Sequence, residues 1–220
     1  MSSPLYGVYG ASGCGRSIMP VARQQAAAED VDADRLVFVD DASIGISVNG
    51  HRVLTYDEFR DDAAESKHIA IAVADGKVRQ RLAAKCENDG LSFWSVRAKN
   101  VVIMDDVEVG HGALLSPFVT ITSNVRIGRF FHANLYSYVE HDCRIGDFVT
   151  FGPGAKCNGN VVIEDHAYVG AGAILRQGNP GSPLRIGQSA VIGMGAVVTR
   201  DVAAGATVVG NPARPHADSN

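Results

Sequence analysis

Apolar or small residues recur at every sixth position through most of the second half of the chain. The series begins at Ile103 and runs through thirteen consecutive positions to Leu175 without a slip. A second series of the same kind lies two positions earlier in each unit, from Val107 to Ala173. A period of six fits neither an α-helix, whose period is about 3.6, nor a long strand, whose period is about 2. The pattern therefore predicts short strands, each followed by a turn.

The repeat is interrupted once, by a glycine- and proline-rich segment at 176–184, and resumes at Ile186, Ile192, Val198 and Ala204. Short strands that stack around a prism form a parallel β-helix, in which each coil packs only against its neighbours. The six-residue pattern resembles the hexapeptide repeat of left-handed β-helix acyltransferases. That resemblance implies three units per coil, so residues 18 apart should lie in adjacent strands about 4.8 Å apart. It also implies a left hand, whereas the general rule for parallel crossovers favours the right hand.

The first hundred residues show a different pattern, in which strands alternate with helices. Strands are predicted at Leu5–Tyr9, Arg35–Val39, His68–Ala74 and Leu91–Val96, helices at Cys14–Ala28 and Lys77–Glu87, and a turn at Val48–His51. Such alternation is typical of a small βαβαβ unit with a parallel sheet. We therefore expect a Rossmann-like α/β domain over residues 1–98, and a left-handed β-helix with a C-terminal tail over residues 99–220.

A glycine-rich loop and an acidic pair follow the first two predicted strands. The loop Gly10–Gly15 would let backbone N–H groups approach a phosphate at a helix N-terminus. Its G-x-x-G-x-G spacing differs from that of dinucleotide sites, so a plain tight turn is the alternative. Asp40 and Asp41 could accept hydrogen bonds from a ribose or base, or could serve only as a helix cap or solvated turn. Because open α/β sheets bind ligands at the carboxyl ends of strands, we predict a nucleotide-sugar site that comprises Gly10, Ser12, Gly13, Cys14, Asp40, Asp41 and Ala74.

Composition argues against several other classes of protein. A net charge of −4 in 220 residues is unlike that of a nucleic-acid-binding domain, which carries a basic stripe. No apolar run approaches the roughly 18 residues of a transmembrane helix, and the first residues lack the basic and apolar regions of a secretory signal. The four cysteines show no C-x-x-C pairing, which favours free thiols in a cytosolic protein over disulfides or a zinc site.

Five segments carry a resemblance that extends over nearly the whole chain: Tyr9–Gly15, Val39–Asp41, Val139–Gly146, Gly154–Cys157 and Val209–Arg214. They resemble the signatures of a family of nucleotide-sugar acetyltransferases that includes bacillosamine-pathway N-acetyltransferases and sialic-acid O-acetyltransferases. Within that family, the similarity is strongest to the enzymes that acetylate GDP-perosamine. The resemblance implies acetyl-CoA-dependent N-acetylation of a nucleotide-linked 4-amino sugar in surface-polysaccharide (O-antigen) biosynthesis. A UDP-linked amino sugar, or a sugar hydroxyl, is the alternative acceptor.

The same resemblance implies which residues act on the acceptor. His141 matches a family histidine beside the acceptor, and Asp142 matches the acidic neighbour that would orient its imidazole; both could instead be plain turn residues. Gly159 lies 18 residues after His141, so it should stack one coil above, where its N–H could stabilise an oxyanion. The alternative for Gly159 is a turn that needs a positive φ. Asn134 matches a family asparagine near the sugar amine, and could instead belong to an asparagine ladder within the coil.

The resemblance also implies the contacts with acetyl-CoA. Family contacts fall at Thr150, Ala171 and Met194, while Lys156 and Arg200 could meet the CoA phosphates or be solvated corner residues. The seven histidines share no repeat phase, which argues against a hexapeptide carbonic anhydrase with three zinc ligands, and no metal is expected. We expect a cytoplasmic homotrimer with active sites between subunits, and a loop at residues 176–185 that frames a binding face. A β-helix scaffold without activity is the non-enzymatic alternative.

Overall fold

The structure is a computed structural model that describes residues 3–42 and 47–216. The chain divides into two compact units, one formed by Met1–Lys99 with His111–Leu114 and the other by Asn100–Gly110 with Leu115–Asn220. The first unit combines helices with a sheet, whereas the second consists of short strands. Within the described ranges, no helix is long and apolar enough to cross a membrane.

A six-stranded sheet organises the first unit. Its strands are β1 (Leu5–Tyr9), β2 (Leu36–Val39), β3 (Ser47–Val48), β4 (His51–Leu54), β5 (Lys67–Ile71) and β6 (Ser92–Phe93), in the spatial order β3-β4-β2-β1-β5-β6. Neighbouring strands are parallel except β3 and β4, which form an antiparallel hairpin. The helices are α1 (Gly13–Ala28), α2 (Tyr56–Asp61) and α3 (Gly76–Asn88), with a 3₁₀ turn at Ala33–Arg35. All four residues of β2 are buried, as expected for a parallel strand with a continuous apolar sequence.

The predicted α/β class is confirmed for the first unit, with local corrections. The sequence pattern misses β4 and α2. Helix α2 spans only six residues, which is too short to show a helical period. Its start does carry a signal, since Thr55 and Glu58 form a capping box in which the Thr55 N–H donates to the Glu58 carboxylate (2.7 Å). The third predicted strand ends at Ile71 instead of Ala74. The fourth is split into β6 and a second short strand, β7 (Val96–Arg97).

The strands of the second unit fall into three stacked faces of a prism. The first face contains β10 (Leu114–Leu115), β13 (His132–Ala133), β16 (Thr150–Phe151), β19 (Tyr168–Val169), β22 (Val191–Ile192), β24 (Thr207–Val209) and the antiparallel β25 (Arg214–Pro215). The second contains β8 (Val102–Ile103), β11 (Thr120–Ile121), β14 (Tyr138–Val139), β17 (Lys156–Cys157), β20 (Ile174–Leu175) and β23 (Val197–Val198). The third contains β9 (Val107–Val109), β12 (Val125–Ile127), β15 (Arg144–Ile145), β18 (Val161–Ile163) and β21 (Leu184–Ile186).

The pairing register confirms three six-residue units per coil. On the second face, Thr120 pairs with Tyr138, Tyr138 with Lys156, and Lys156 with Ile174, each step being 18 residues. The next step, from Ile174 to Val197, is 23 residues. The difference arises because the glycine- and proline-rich loop between β20 and β21 lengthens that one coil. The period therefore continues through the interruption, and the predicted left-handed β-helix is confirmed.

The two apolar series form the interior of the prism. From Ala113 to Val198 every member of both series is buried, and most of them form one continuous core. The start of the series is less protected, since Ile103 is only partly buried. Its predicted end is wrong, because Ala204 is exposed and Val202 is buried in its neighbourhood instead.

Each corner of the prism turns through one residue with a left-handed backbone. From Asp106 to Gly172, every sixth residue has a φ between +54° and +72°, and nine of these twelve residues are not glycine. Such a backbone costs roughly 1–2 kcal/mol for a residue with a Cβ. At one corner the side chains recover part of that cost by stacking, with ring centroids 5.0 Å apart for Phe130 and Phe148 and 5.4 Å apart for Phe148 and His166.

Candidate active site

Loops that follow three neighbouring parallel strands meet at one edge of the sheet in the first unit. Strands β2, β1 and β5 are adjacent in that order, and the segments beyond their carboxyl ends contain Asp40–Asp41, Gly10–Cys14 and Ala74. The N–H of Ala11 donates to the Asp40 carboxylate (2.8 Å), which ties the glycine loop to the end of β2. The structure therefore brings the predicted nucleotide-binding residues to the edge where open α/β sheets bind ligands.

The glycine loop turns tightly into helix α1. Gly10 has a φ of +106°, and a Cβ on Gly15 would overlap the Gly10 carbonyl, so both positions require glycine. A Cβ on Gly13 would meet nothing within 4 Å. Ser12 is the N-cap of α1, yet its side chain makes no capping hydrogen bond, and the first turn contains no acidic residue. The N–H groups at the start of α1 are thus placed to receive an anion.

The acidic pair holds local structure at the same edge. Asp40 accepts hydrogen bonds from the N–H groups of Ala11 and Ala42, and Asp41 accepts one from Tyr56, the first residue of α2 (2.7 Å). These bonds support the alternative that the pair serves as cap and turn residues. An ionised carboxylate offers about four lone-pair sites, so both side chains retain acceptor capacity for a ligand.

A buried cation beside this edge was not predicted from the sequence. Arg79 lies in α3 and is fully buried. Its guanidinium donates to the carbonyls of Val73 (2.6 Å) and Ala74 (3.1 Å). Burial lowers its pKa to about 10, so it remains a cation at neutral pH. An arginine in a short helix is normally exposed, and the sequence pattern carries no other signal. Burial also raises the pKa of Cys14, the remaining predicted residue of this set.

The second unit places His141 at the corner between the second and third faces. Its Nδ1 lies 2.7 Å from Asp142 Oδ2, and Asp142 Oδ1 accepts a hydrogen bond from the Asn124 amide (3.2 Å). Hydrogen bonds from His141 and Asn124 hold the pKa of Asp142 below its usual range, so this carboxylate can only accept. In a neutral imidazole, Nδ1 must therefore carry the proton and Nε2 must present the lone pair. Across the described ranges, His141 Nε2 has no hydrogen-bond partner, and 43% of the side chain is exposed.

Gly159 lies against this imidazole from the next coil, as the 18-residue spacing predicts. A Cβ on Gly159 would come within 2.5 Å of His141 Cε1 and 2.6 Å of Nε2, so only glycine leaves room for the ring. The left-handed residue of this turn is Asn160, not Gly159, so a positive φ does not explain the glycine. The Gly159 carbonyl accepts from the Gly178 N–H (2.9 Å), while in the described part of the chain its own N–H donates to no acceptor. A free N–H beside a base is the arrangement that an oxyanion donor requires.

Asn134 lies at a different corner, between the first and second faces. Its side-chain amide donates to the Phe151 carbonyl one coil above (3.0 Å), and Asn158 makes the equivalent bond to Leu175 (2.8 Å). These bonds match the structural role that was the alternative for Asn134. Because His141 and Asn134 lie on different corners of one prism, the structure does not bring these two residues together within one chain.

The corner that carries Asn134 also carries two of the predicted acetyl-CoA contacts. We call it the glycine corner, and it comprises residues 116–119, 134–137, 152–155, 170–173 and 193–196 in successive coils. Ala171 and Met194 lie there in adjacent coils, where the Gly195 N–H donates to the Ala171 carbonyl (2.8 Å), and 83% of Met194 is exposed. Its upper coils contain six glycines, and a Cβ on Gly172 or Gly195 would meet nothing. The upper part of this corner is therefore open.

The other three predicted acetyl-CoA contacts are dispersed. Only 2% of Thr150 is exposed on the first face, so its side chain offers almost no surface to a ligand. Lys156 is exposed on the second face. Arg200 follows β23 at the same offset at which Gly159 follows β17, so by register it lies above Gly159 at the His141 corner.

The residue of this corner that sequence reasoning missed is Asn124. It precedes Asp142 by 18 residues and donates to the carboxylate that orients the imidazole. The coil arithmetic that located Gly159 one coil above His141 could also have located Asn124 one coil below Asp142.

A β-helix of six-residue units with a carboxylate-oriented histidine beside a free backbone N–H defines an acyltransferase of the hexapeptide-repeat class. The chain is 52% identical to GDP-perosamine N-acetyltransferase of Escherichia coli O157:H7 over 210 aligned residues. The aligned region covers 96% of this chain and 95% of that protein. It is 53% identical to the solved structure of WeeI from Acinetobacter baumannii AYE, with a TM-score of 0.95. The match covers 97% of this chain and 100% of WeeI. A second structure is the acetyltransferase domain of PglB from Neisseria gonorrhoeae FA1090 in complex with acetyl coenzyme A. It is 27% identical to this chain, with a TM-score of 0.86, and the match covers 98% of this chain and 100% of that domain. No protein-family profile matches the chain.

The chain belongs to the hexapeptide-repeat family of nucleotide-sugar N-acetyltransferases. The family resemblance inferred from the sequence motifs is thus confirmed. The chain is an acetyltransferase, and the alternative of a β-helix scaffold without activity is wrong.

Proposed function

We propose that this enzyme transfers the acetyl group of acetyl-CoA to the 4-amino group of GDP-perosamine, in cytoplasmic surface-polysaccharide (O-antigen) biosynthesis. The observation that carries the proposal is the His141 imidazole, which Asp142 orients through Nδ1 and which lies against Gly159. A base and an oxyanion donor at one corner suit direct acyl transfer to an amine. The choice of GDP-perosamine is supported by the relative that is 52% identical over nearly the whole chain, and the choice of acetyl-CoA by the PglB complex.

The reaction forms one N–C bond and breaks one C–S bond. The neutral amine attacks the thioester carbonyl, whose oxygen becomes an oxyanion that the Gly159 N–H stabilises; one such donor contributes about 2.7–4 kcal/mol where measured. His141 Nε2 accepts the amine proton, and the imidazolium that results is stabilised by the Asp142 carboxylate 2.7 Å away. Collapse of the intermediate expels the CoA thiolate, which takes the proton from Nε2. The acetamide and the CoA thiol then dissociate, and the imidazole is neutral again.

The donor and acceptor halves of this proposed site lie on different corners of one prism. Ala171 and Met194 belong to the glycine corner, whereas His141 and Gly159 belong to the next corner along the chain. One face of six residues separates these corners by roughly 15–20 Å. We propose that one copy presents its glycine corner to the His141 corner of the next, and that three-fold cyclic symmetry repeats this contact. Asn134 of one copy would then approach His141 of its neighbour.

An exposed apolar patch on the glycine corner supports this assembly. Phe118 and Tyr136 stack with their ring centroids 4.8 Å apart, yet 51% and 63% of these residues are exposed. Leu135, beside them in sequence, is 41% exposed. Clustered apolar side chains on a surface are typical of contact sites, and a second copy would remove this patch from water.

The nucleotide is assigned to the sheet edge of the first unit. The start of α1, from Ser12 to Cys14, offers N–H groups to the pyrophosphate, while Asp40 and Asp41 offer acceptors to the ribose or base. The buried Arg79 cation at the same edge favours a negatively charged ligand there. The choice of guanine over uracil rests on the relative's substrate name.

A panel of nucleotide sugars tests the proposal. Release of CoA thiol from acetyl-CoA is followed with GDP-perosamine, with a UDP-linked 4-amino sugar, and with GDP-mannose, which carries a hydroxyl in place of the amine. We expect turnover with GDP-perosamine, a kcat/KM at least about tenfold lower with the UDP-linked sugar, and none with GDP-mannose. Preference for the UDP-linked sugar would reassign the nucleotide, acetylation of GDP-mannose alone would indicate an O-acetyltransferase, and no release with any acceptor would contradict the proposal.

A further inference from the structure

Two cysteine thiols lie inside the prism beneath the His141 corner. Cys143 and Cys157 are fully buried, and their Sγ atoms are 3.9 Å apart. Within the inner series that runs from residue 107 to residue 173, only Cys143 and Ser137 carry a side-chain hydrogen-bond donor. The Ser137 hydroxyl donates to the carbonyl of Asn134 (2.6 Å). A donor at this core position can therefore hold the backbone of a corner from the inside.

The Cys143 thiol contacts the backbone of both coils that form the proposed catalytic corner. Its Sγ is 3.3 Å from the Asn158 carbonyl oxygen and 3.6 Å from that of His141. The Asn158 carbonyl and the Gly159 N–H belong to one peptide group. In a planar trans peptide these two groups point in opposite directions. Since the carbonyl points inward to the thiol, the Gly159 N–H points outward from the core.

The second thiol has a weaker hold on the same peptide. Cys157 Sγ is 3.7 Å from the Asn158 carbonyl oxygen, farther than Cys143 Sγ. The two Sγ atoms lie 3.9 Å apart, and either can donate to the other. Cys143 therefore makes the closer contact with the Asn158 carbonyl, which belongs to the peptide of Gly159.

We propose that Cys143 is a positioning residue for acetyl transfer, and that its S–H holds the Asn158–Gly159 peptide so that the Gly159 N–H faces the developing oxyanion. The inference rests on the proposed function of Gly159 as that donor. Without the Cys143 thiol, the Asn158 carbonyl keeps only the longer contact with Cys157 Sγ (3.7 Å), so the direction of the Gly159 N–H is held less firmly. Because the oxyanion exists only in the transition state and intermediate, kcat falls while the binding of both substrates is retained.

Three variants test this role. Cys143→Ala removes the donor, Cys143→Ser restores a donor of similar size, and Cys157→Ala opens a comparable cavity but leaves the bond from Cys143 to Asn158. In Cys143→Ala we expect kcat to fall about 3- to 10-fold, the effect of one hydrogen bond, with both KM values within about twofold. We expect Cys143→Ser to recover most of that loss and Cys157→Ala to keep wild-type kcat. Wild-type kcat in Cys143→Ala would overturn the inference. An equal loss in Cys143→Ser or in Cys157→Ala would also overturn it, because packing would then explain the effect.

A second measurement is independent of the proposed acceptor. The amide resonance of Gly159 in ¹⁵N-labelled protein reports on this peptide whether or not a tested sugar is acetylated. We expect it to shift in Cys143→Ala and to return towards its wild-type position in Cys143→Ser, even if GDP-perosamine proved not to be the substrate. An unchanged Gly159 resonance in Cys143→Ala would overturn the inference, whatever the activity.

Discussion

An alanine at position 159 would insert one carbon atom between the proposed base and the proposed oxyanion donor. Its Cβ would lie 2.5 Å from Cε1 and 2.6 Å from Nε2 of His141, whereas non-bonded carbons settle at about 3.5–4.0 Å. The imidazole must therefore move by about 1 Å. The ring is partly exposed and turns about two single bonds, so it will move before the backbone does. Gly159 has no left-handed backbone, so alanine adds no conformational strain there.

The displaced ring would lose its function without loss of the fold. A misplacement of about 1 Å in a reacting group can lower the rate about 100-fold, and the same movement would break the 2.7 Å contact between His141 Nδ1 and Asp142. We expect Gly159→Ala to lower kcat about 100-fold and to change both KM values much less, because the ring acts on a proton and not on ground-state binding. The thermal midpoint should stay within about 3 °C of wild type.

Steady-state rates of CoA thiol release with saturating acetyl-CoA measure this effect. Gln188→Ala is the matched control, since Gln188 is exposed on the β-helix at the corner between the third and first faces. It should keep wild-type kcat. If folded Gly159→Ala enzyme kept more than about a third of wild-type kcat, the imidazole would not need the position that the structure gives it, and the reasoning would be refuted.

His141→Asn should lower kcat by about 10²–10⁴-fold, because it removes the proposed base; retention of more than about half of the activity would refute a role for this histidine. Replacement of Asp40 and Asp41 by asparagine should raise KM for the nucleotide sugar and leave KM for acetyl-CoA nearly unchanged, and an unaltered sugar KM would place the nucleotide elsewhere. Tyr136→Glu puts a charge into the apolar patch of the glycine corner, so light scattering at micromolar concentration should show a trimer dissociating to an inactive monomer; an active monomeric wild type would contradict the proposed assembly. Asp75 caps α3 through two backbone N–H groups, and these hydrogen bonds lower its pKa. The contribution of this cap to the free energy of unfolding is complete above about pH 4 and is lost as the pH falls through the lowered pKa of Asp75. Asp75→Ala should therefore reduce the free energy of unfolding, measured in urea at neutral pH, by about 1 kcal/mol. An equal difference under strongly acidic conditions would falsify that assignment.

The β-helix could be predicted from the sequence because each short strand repeats the same local signal. Residues such as Ile121 and Val139 point into a core that contains only their own coil and its neighbours, so a six-residue period is sufficient. The left-handed corners could not be predicted in this way. Phe118 and Tyr136 both have φ near +60°, a conformation that no local propensity favours for an aromatic residue. The stacking of successive coils imposes it.

The candidate site divides along the same line. Gly159 was located beside His141 by arithmetic, because both lie on one corner and differ by one coil. The burial of Thr150 could not be predicted in this way, since only the packing of the first face shows that its side chain is buried. The relation between Asn134 and His141 depends on which corners meet in an assembly. Neither the period nor the motifs of one chain contain that information.

The central proposal is acetyl transfer to a sugar amine at the His141 corner. It is tested most directly by determining where the acetyl group is attached after reaction of ¹³C-labelled acetyl-CoA with GDP-perosamine, for wild type and His141→Asn at equal enzyme concentration. Two-dimensional NMR of the product assigns the labelled carbonyl to the 4-amino nitrogen or to a sugar oxygen. We predict one acetyl group on the 4-amino nitrogen with wild type, in proportion to the CoA thiol released, and at least about 100-fold slower formation of that product with His141→Asn. An acetyl group on a hydroxyl, or equal rates for the two enzymes, would contradict the proposal.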